Sequence, residues 1–320
     1  MRVLVERAIR AAVLVLGVSI LSFLLLEAAP GDFVTELRLN PQISPATVAA
    51  IQSEFGLDAP VFVRYLRWTT AAVHGHLGYS LLYRTPVERL LWRRAANTLL
   101  LTGVALALAW GIALAVGLAS ACARGAWPDR LVGLVAAAFL AVPDVLITLA
   151  LLSVAAEARL LPLGGMSSVD RGPGTWSAAI DVARHMAMPV TILVISIAPG
   201  LLQHVRDALA HAMPPPLAIA LGARGLPRRR VVTRHAFRLA AAPLAALAGL
   251  SIGTLLSAAV IVEVLLGWPG VGALLLEAVI ARDQYVIVGA TVVSTGFLVI
   301  GNAIGDLILY LADARVRSRR

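Results

Sequence analysis

Six stretches of this chain are apolar over about the length a helix needs to cross a bilayer, roughly 18 to 20 residues. They cover about residues 9–28, 97–119, 131–153, 187–204, 244–266 and 286–311. Across the 320 residues, 59% are hydrophobic and only 14% charged. A water-soluble domain of this size cannot hide that much apolar surface, so most of the chain must face lipid or other spans. The sequence therefore predicts an all-α, polytopic membrane protein with about six transmembrane helices. Glycine and proline interrupt several runs, which a span tolerates when neighbouring helices re-satisfy the freed backbone groups. The first run has no clear small-residue cleavage site and leads into Glu27 and Pro30. It reads as a retained span rather than a removed signal peptide.

Charge orients the spans. All 27 basic residues are arginine. With no lysine there is no phosphate-binding P-loop, no Schiff base and no Ser-Lys catalysis. The N-terminus, the 120–130 loop, the 205–243 loop and the C-terminal tail carry 16 arginines against four acids (Glu6, Asp129, Asp207 and Asp313), while the opposite loops hold 11 arginines and ten acids. The positive-inside rule puts the first side, with both termini, in the cytoplasm. The formal charge of +9 thus marks a membrane edge facing anionic lipid, not a nucleic-acid surface. The lone Cys122 can form neither an internal disulfide nor a metal site and reads as a packed thiol.

The long segment after the first span carries structure of its own. Ser44-Pro45-Ala46-Thr47 reads as a helix start, followed by Ala49, Ile51 and Phe55 and stopped by Gly56. Val61 to Val73 is amphipathic, with Phe62, Tyr65, Leu66 and Trp68 beside Arg64 and Arg67. Together these predict a small helical extracytoplasmic cap packed on the spans. The expected organisation is an N-terminal transmembrane helix over 1–30, an extracytoplasmic helical loop over 31–94, a core of five spans over 95–312 and a cytoplasmic tail over 313–320.

Four acids fall in or at the edge of spans: Glu27, Asp144, Glu263 and Asp306. Ionised groups are costly in lipid, so each should face the bundle interior, a partner or a watery cavity. Asp144 follows Pro143, where a broken helix would line a path. Glu263 precedes Gly267-Trp268-Pro269-Gly270. An intramembrane enzyme is not expected. Ala303-Ile304-Gly305-Asp306 lacks the first glycine of an aspartyl-protease Gly-x-Gly-Asp signature, no histidine is followed by glutamate as a zinc protease requires, and no Gly-x-Ser-x-Gly motif for an activated serine is expected. His74 and His76, with one residue between them, read as solvated side chains. No catalytic residue, cofactor or metal is assigned.

The 205–243 loop contains Ala220-Leu221-Gly222-Ala223-Arg224-Gly225-Leu226, followed by Pro227 and Arg228-Arg229-Arg230. This reads as a turn between two short helices, exposed for docking. Nearly end to end, the chain resembles the inner-membrane permease subunits of bacterial ABC importers for dipeptides, oligopeptides and nickel. The resemblance rests on Leu16-Gly17-Val18-Ser19 through Ala29-Pro30-Gly31-Asp32, on Phe55-Gly56-Leu57-Asp58-Ala59-Pro60, and on Tyr65-Leu66-Arg67-Trp68. It continues through Gly75-His76-Leu77-Gly78-Tyr79-Ser80, Glu263 to Gly272, Ala281-Arg282-Asp283 and Asp313-Ala314-Arg315-Val316-Arg317.

That resemblance implies an ABC type I importer permease fold. It makes 220–226 the core of an ATPase-coupling (EAA) loop, in which Arg224-Gly225-Leu226 fits the family's basic-Gly-Leu run. Pro214-Pro215-Pro216 departs from the polar, aromatic start usual there. Because three successive prolines cannot sit inside a helix, the first coupling helix is expected to begin at or after Pro216. The implied partners are a second permease subunit, two ATP-binding subunits and an extracytoplasmic solute-binding protein, with the permease itself not an enzyme. Pro143, Asp144, Glu263, Trp268, Pro269 and Gly270 are the candidate translocation-path residues. Two alternatives stay open: a secondary transporter or channel without an ATPase, and a non-transporting structural membrane protein.

Overall fold

The computed structural model describes residues 2–29, 31, 35, 38, 42, 44–54, 56, 58–158, 162–168 and 175–312. Pro30, Asp32, Phe55, Leu57 and the 313–320 tail, all used above, lie outside the described residues. In chain order the helices are α1 (Arg2–Ala28), α2 (Pro45–Glu54), α3 (Val61–Val73), α4 (Val87–Cys122), α5 (Trp127–Leu140), α6 (Asp144–Ala158), α7 (Thr175–Ala212), α8 (Pro215–Ala223), α9 (Arg228–Leu265), α10 (Val271–Ile280) and α11 (Gln284–Ala312). Between α3 and α4, Tyr79–Ser80 (β1) pairs antiparallel with Thr85–Pro86 (β2), a hairpin that hydropathy does not announce.

Among the described residues, α1, α4, α7, α9 and α11 are each long and apolar enough to cross a membrane. The third expected span is different. Its apolar run is split into α5 and α6, which meet at 97°, so six spans are reached only if this bent pair counts as one. Pro143 is the cause, having no N–H to continue α5 and disfavouring helical geometry at Val142. The Pro143 carbonyl instead accepts from the amides of Leu146 and Ile147 at 2.9 and 3.2 Å, starting α6. The other long helices overrun their apolar windows, α4, α7 and α11 at both ends and α1 and α9 at the start, because a helix continues into polar residues once packing or water satisfies them. In α7, Pro189 and Pro199 lie inside the helix and are both buried.

The chain divides into two compact units: residues 1–98 with 269–299, and 99–268 with 300–320. In the first, the two helices expected after the first span are present. Ser44 starts α2, its Oγ accepting from the Thr47 amide at 3.1 Å, and Gly56 follows at φ +61°. Helix α3 lies against α1. Phe23 meets Tyr65 edge-on at 5.2 Å and Trp68 at 5.5 Å, Ser19 Oγ is 3.1 Å from the Tyr65 hydroxyl, and Trp68 donates to the Leu77 carbonyl at 3.0 Å. Glu27, one of the four span acids, pairs with Arg64 of α3 at 2.6 Å. The same unit packs Val87, Leu91, Val271, Leu274, Ala278 and Val286 into one apolar core.

In the second unit, α7 and α9 run together through two cores. One gathers Leu101, Ile192, Leu193, Leu255 and Trp268. The other gathers Ala109, Ala113, Leu201, Val205, Ala240 and Leu244. Small residues set how close the helices come: a Cβ on Gly117 of α4 would stand 2.6 Å from Val205 Cγ1 of α7.

Candidate functional site

The segment joining α7 to α9 has the turn read from sequence. Helix α8 covers Pro215–Ala223, Gly225 turns the chain at φ +74°, and α9 begins at Arg228. Two expectations are corrected: the helix after the turn is not short but the start of the long α9, and α8 starts at Pro215 rather than at or after Pro216. The first turn of a helix has no intrahelical use for its N–H groups, so Pro215 and Pro216 both fit there. The Pro214 carbonyl then accepts from the amides of Leu217 and Ala218 at 3.0 and 3.1 Å. After Gly225 the Leu226 amide points back to the Leu221 carbonyl at 3.4 Å, closing the turn. Space is open around Gly225: a Cβ there would meet nothing within 4 Å. Ala220, Ala223, Arg224 and Gly225 are exposed, while Leu221 and Leu226 are half-buried. The first turns of α9 contain a π-helical stretch, Val231–Ala236.

This segment is anchored to the second unit by an arrangement that sequence reading missed. Arg228 donates to the Arg124 carbonyl at 3.2 Å. Nearby, Arg206 of α7 pairs with Asp129 of α5 at 2.6 Å and also donates to Ser120 Oγ at 2.9 Å, while Ser120 donates to Asp129 at 2.5 Å. Gly133 leaves room for it, since a Cβ there would fall 2.8 Å from Arg206 Nη1. Partners 77 residues apart leave no local pattern. The only hint is an arginine and an aspartate beside otherwise apolar helix ends.

The candidate path residues fall into two classes. Pro143 and Asp144 are exposed at the break between α5 and α6. Glu263 and Trp268 are both 0% exposed. The Trp268 amide donates to the Glu263 carbonyl at 2.9 Å across the turn that Gly267 makes at φ +59°. The Leu266 carbonyl in this turn accepts from the Gly165 amide at 2.8 Å. In the first unit, Pro269 accepts from Asn97 Nδ2 at 2.8 Å, and Val271, the residue after Gly270, donates to Thr98 Oγ1 at 2.9 Å. These bonds fix the start of α10. Asn97 and Thr98 were not singled out from sequence, where they look like two polar residues at the start of a span. Asp306 is half-buried in α11.

The Ala281-Arg282-Asp283 motif closes α10. Arg282 takes the left-handed conformation at φ +54°, and the Asp283 amide reaches back to the Ala278 carbonyl at 2.9 Å, a helix end that glycine usually makes. Asp283, 1% exposed, accepts from Ser80 Oγ at 2.7 Å and the Leu82 amide at 3.1 Å, so it holds the β1–β2 hairpin. Tyr83 in that hairpin donates to Glu277 of α10, with Arg94 3.6 Å from the same carboxylate. Burial, and then the Glu277 carboxylate, push the Tyr83 phenol up to about 12, so it stays a neutral donor at any ordinary pH.

Ser251 requires a correction. Gly249-Leu250-Ser251-Ile252-Gly253 does have the Gly-x-Ser-x-Gly spacing of a nucleophile elbow. It lies in the middle of helix α9 and not on a strand-to-helix turn. The hydroxyl is buried, donating to the Ala248 carbonyl at 2.8 Å and accepting from Trp110 Nε1 at 3.0 Å. It packs helices and has no base beside it among these contacts. Among the described residues no group of three or more histidine, cysteine or acidic side chains is placed to hold a metal ion.

With this geometry described, comparison with known proteins is informative. Residues 111–318 match the family described as binding-protein-dependent transport system inner membrane component, and residues 1–102 match its N-terminal companion. The chain is 34% identical to a putative peptide permease protein of Brucella ovis over 313 residues, covering 95% of each chain. It is 31% identical to an oligopeptide transport system permease protein of Bacillus subtilis, covering 98% of each, and 28% identical to a dipeptide transport system permease protein of Escherichia coli, covering 95% of each. Among solved structures it is similar to an inward-facing MetNI methionine ABC transporter chain, with a TM-score of 0.53 at 18% identity, covering 70% of this chain and 96% of that one. That likeness concerns the fold.

Proposed function

Because the chain belongs to the binding-protein-dependent transport system inner membrane component family, we propose that it forms, with a second permease, the path by which an ATP-driven importer takes in peptides. The observation that carries this reading is the exposed helix, left-handed glycine and long helix of residues 215–265, in a chain whose relatives are named as peptide permeases. Those names favour di- or oligopeptides over nickel as the solute. In this reading α8 docks on a cytoplasmic ATP-binding subunit, and a solute-binding protein delivers peptide on the opposite side. ATP binding draws the two ATP-binding subunits together, α8 moves with them, and the spans tilt to open the path outward. Hydrolysis resets it. The permease makes no covalent bond of its own.

Orientation is testable directly. The arginine asymmetry supports a cytoplasmic side for both termini and for residues 205–243, with 35–90 outside. In a Cys122→Ala background, a membrane-impermeant thiol reagent added to intact spheroplasts is expected to label Ser53→Cys and leave Thr233→Cys unlabelled. The reverse pattern would overturn the orientation.

Asp144 and Glu263 are proposed to act on the path in different ways. Exposed Asp144, at the break between α5 and α6, is placed to face the passing solute, and buried Glu263 holds the turn to Trp268. Asp144→Asn is expected to change the uptake rate severalfold at unchanged protein abundance. Glu263→Gln is expected to lower abundance as well, since a fully buried carboxyl group and its partners are disturbed. Normal uptake by both variants, measured with a radiolabelled dipeptide, would remove both residues from the path.

A further inference from the structure

The second unit contains a cavity of about 500 Å³ bordered by α8, the end of α7 and the start of α9. Its walls divide by chemistry. Met213, Ile219 and Leu226 supply apolar surface, and Arg124, Arg206 and Arg228 supply charge, with Asp129 and Asp207 as the acids. Arg206 and Asp129 neutralise each other at 2.6 Å. Arg228 bonds to backbone carbonyls, those of Arg124 and Ala121 at 3.2 and 3.5 Å. Among the described residues, neither Arg228 nor Arg124 has a carboxylate at ion-pair distance, and both are exposed. Two guanidinium charges therefore stand at the rim against the one remaining carboxylate, Asp207. Three residues after Arg124, Trp127 opens α5 with 74% of its surface exposed. An exposed tryptophan at the end of an apolar helix sits at the level of lipid headgroups, and Asp129, two residues on, lines the cavity.

We propose that this cavity binds one anionic phospholipid, its phosphate held by Arg124 and Arg228 and the upper part of its acyl chain lying against Met213 and Ile219. Guanidinium groups grip phosphate oxygens through paired, charge-assisted bonds, and basic pockets between membrane helices suit anionic headgroups. A soluble phosphate would meet the same arginines but leave the apolar wall unused. Binding makes the position of α8 depend on lipid. That consequence rests on the coupling role proposed for α8, whereas the binding itself does not, so binding is measured first.

The test uses the full chain, extracted in a non-denaturing detergent and examined by native mass spectrometry with phosphatidylglycerol and phosphatidylcholine of identical acyl chains. With two arginines gripping the anionic headgroup, retention of phosphatidylglycerol is expected to exceed that of phosphatidylcholine by about tenfold or more. In the double variant Arg124→Gln, Arg228→Gln the preference should fall to within about twofold. Arg229→Gln, Arg230→Gln, whose side chains do not line the cavity, should keep it. Ile219→Ser should weaken retention of the lipid severalfold. Equal retention of the two lipids by the unaltered chain would overturn the proposal, as would an undiminished preference in the Arg124, Arg228 variant. Displacement of phosphatidylglycerol by millimolar inorganic phosphate, or no effect of Ile219→Ser, would assign the site to a soluble anion instead. If the double glutamine variant does not fold, Arg124→Lys, Arg228→Lys replaces it. It keeps the charge but not the fork, and it should show a reduced preference; an unchanged one would overturn the paired grip.

Discussion

Leucine at Gly305 is expected to keep the chain from reaching a monodisperse folded state. A Cβ on Gly305 of α11 would stand 2.3 Å from the Cα and 2.8 Å from the amide nitrogen of Gly249 in α9. A Cβ on Gly249 would stand 3.0 Å from Gly305 Cα, and one on Gly301, a turn away, 2.5 Å from Ile252 Cγ2. Gly301-x-x-x-Gly305 therefore lets two helices cross backbone against backbone, the way small residues bring membrane helices together. Overpacking a core costs about 1–3 kcal/mol even where side chains can shift. Here the obstacle is main chain, so Gly305→Ala is expected to cost at least about 2 kcal/mol and Gly305→Leu to separate the helices. Detergent extraction followed by size-exclusion chromatography and thermal unfolding reads both. On the same helix, a Cβ on Gly296 would meet nothing within 4 Å. Gly296→Ala should thus be neutral or up to about 1 kcal/mol stabilising. A Gly305→Leu chain that elutes and melts like the unaltered one would show that the crossing is wrong.

Tryptophan at Gly225 is expected to separate transport from folding. The φ of +74° makes any L-residue there pay about 1 kcal/mol in backbone conformation. A Cβ there would meet nothing within 4 Å, which leaves the side chain room to turn outward, so the variant should insert and accumulate normally. If the turn between α8 and α9 meets an ATP-binding subunit, the indole falls in that contact. Stimulation of ATP hydrolysis by loaded binding protein, and uptake with it, should drop at least about tenfold, a coupling loss of about 1.4 kcal/mol or more. Gly225→Ala, with the conformational cost and little bulk, should lose less. Unchanged uptake with unchanged recovery of the ATP-binding subunits would refute the coupling role and favour a secondary transporter.

Much of the fold was legible because apolar run length and cap chemistry are local. Ser44 and Gly56 bounded α2, and the amphipathic pattern of Val61 to Val73 gave α3 at both ends. Arg224-Gly225-Leu226 marked the turn before α9. The 97° break between α5 and α6 was signalled by Pro143 only as an irregularity, since proline forbids continuation but does not set the angle. The starting residue of α8 was one off because the tolerance of a helix's first turn for proline extends to two successive positions. Distant pairings were illegible. The Asp283 contact with Ser80, the Arg206 contact with Asp129 and the Thr98 contact with Val271 each join residues 77 or more apart. Each polar residue alone looks like any other at a helix end. Ser251 shows the converse, a motif spacing met in the wrong structural setting.

Uptake of a radiolabelled dipeptide or oligopeptide by proteoliposomes tests the central claim most directly. The vesicles would contain this chain with the second permease and ATP-binding subunits that co-purify with it, and the solute-binding protein would be supplied outside. Uptake should require ATP inside the vesicles, stop when a non-hydrolysable analogue replaces it, and be indifferent to collapse of the proton gradient. Uptake driven by a proton gradient with no ATP, or a chain that transports with no ATP-binding subunit present, would contradict it.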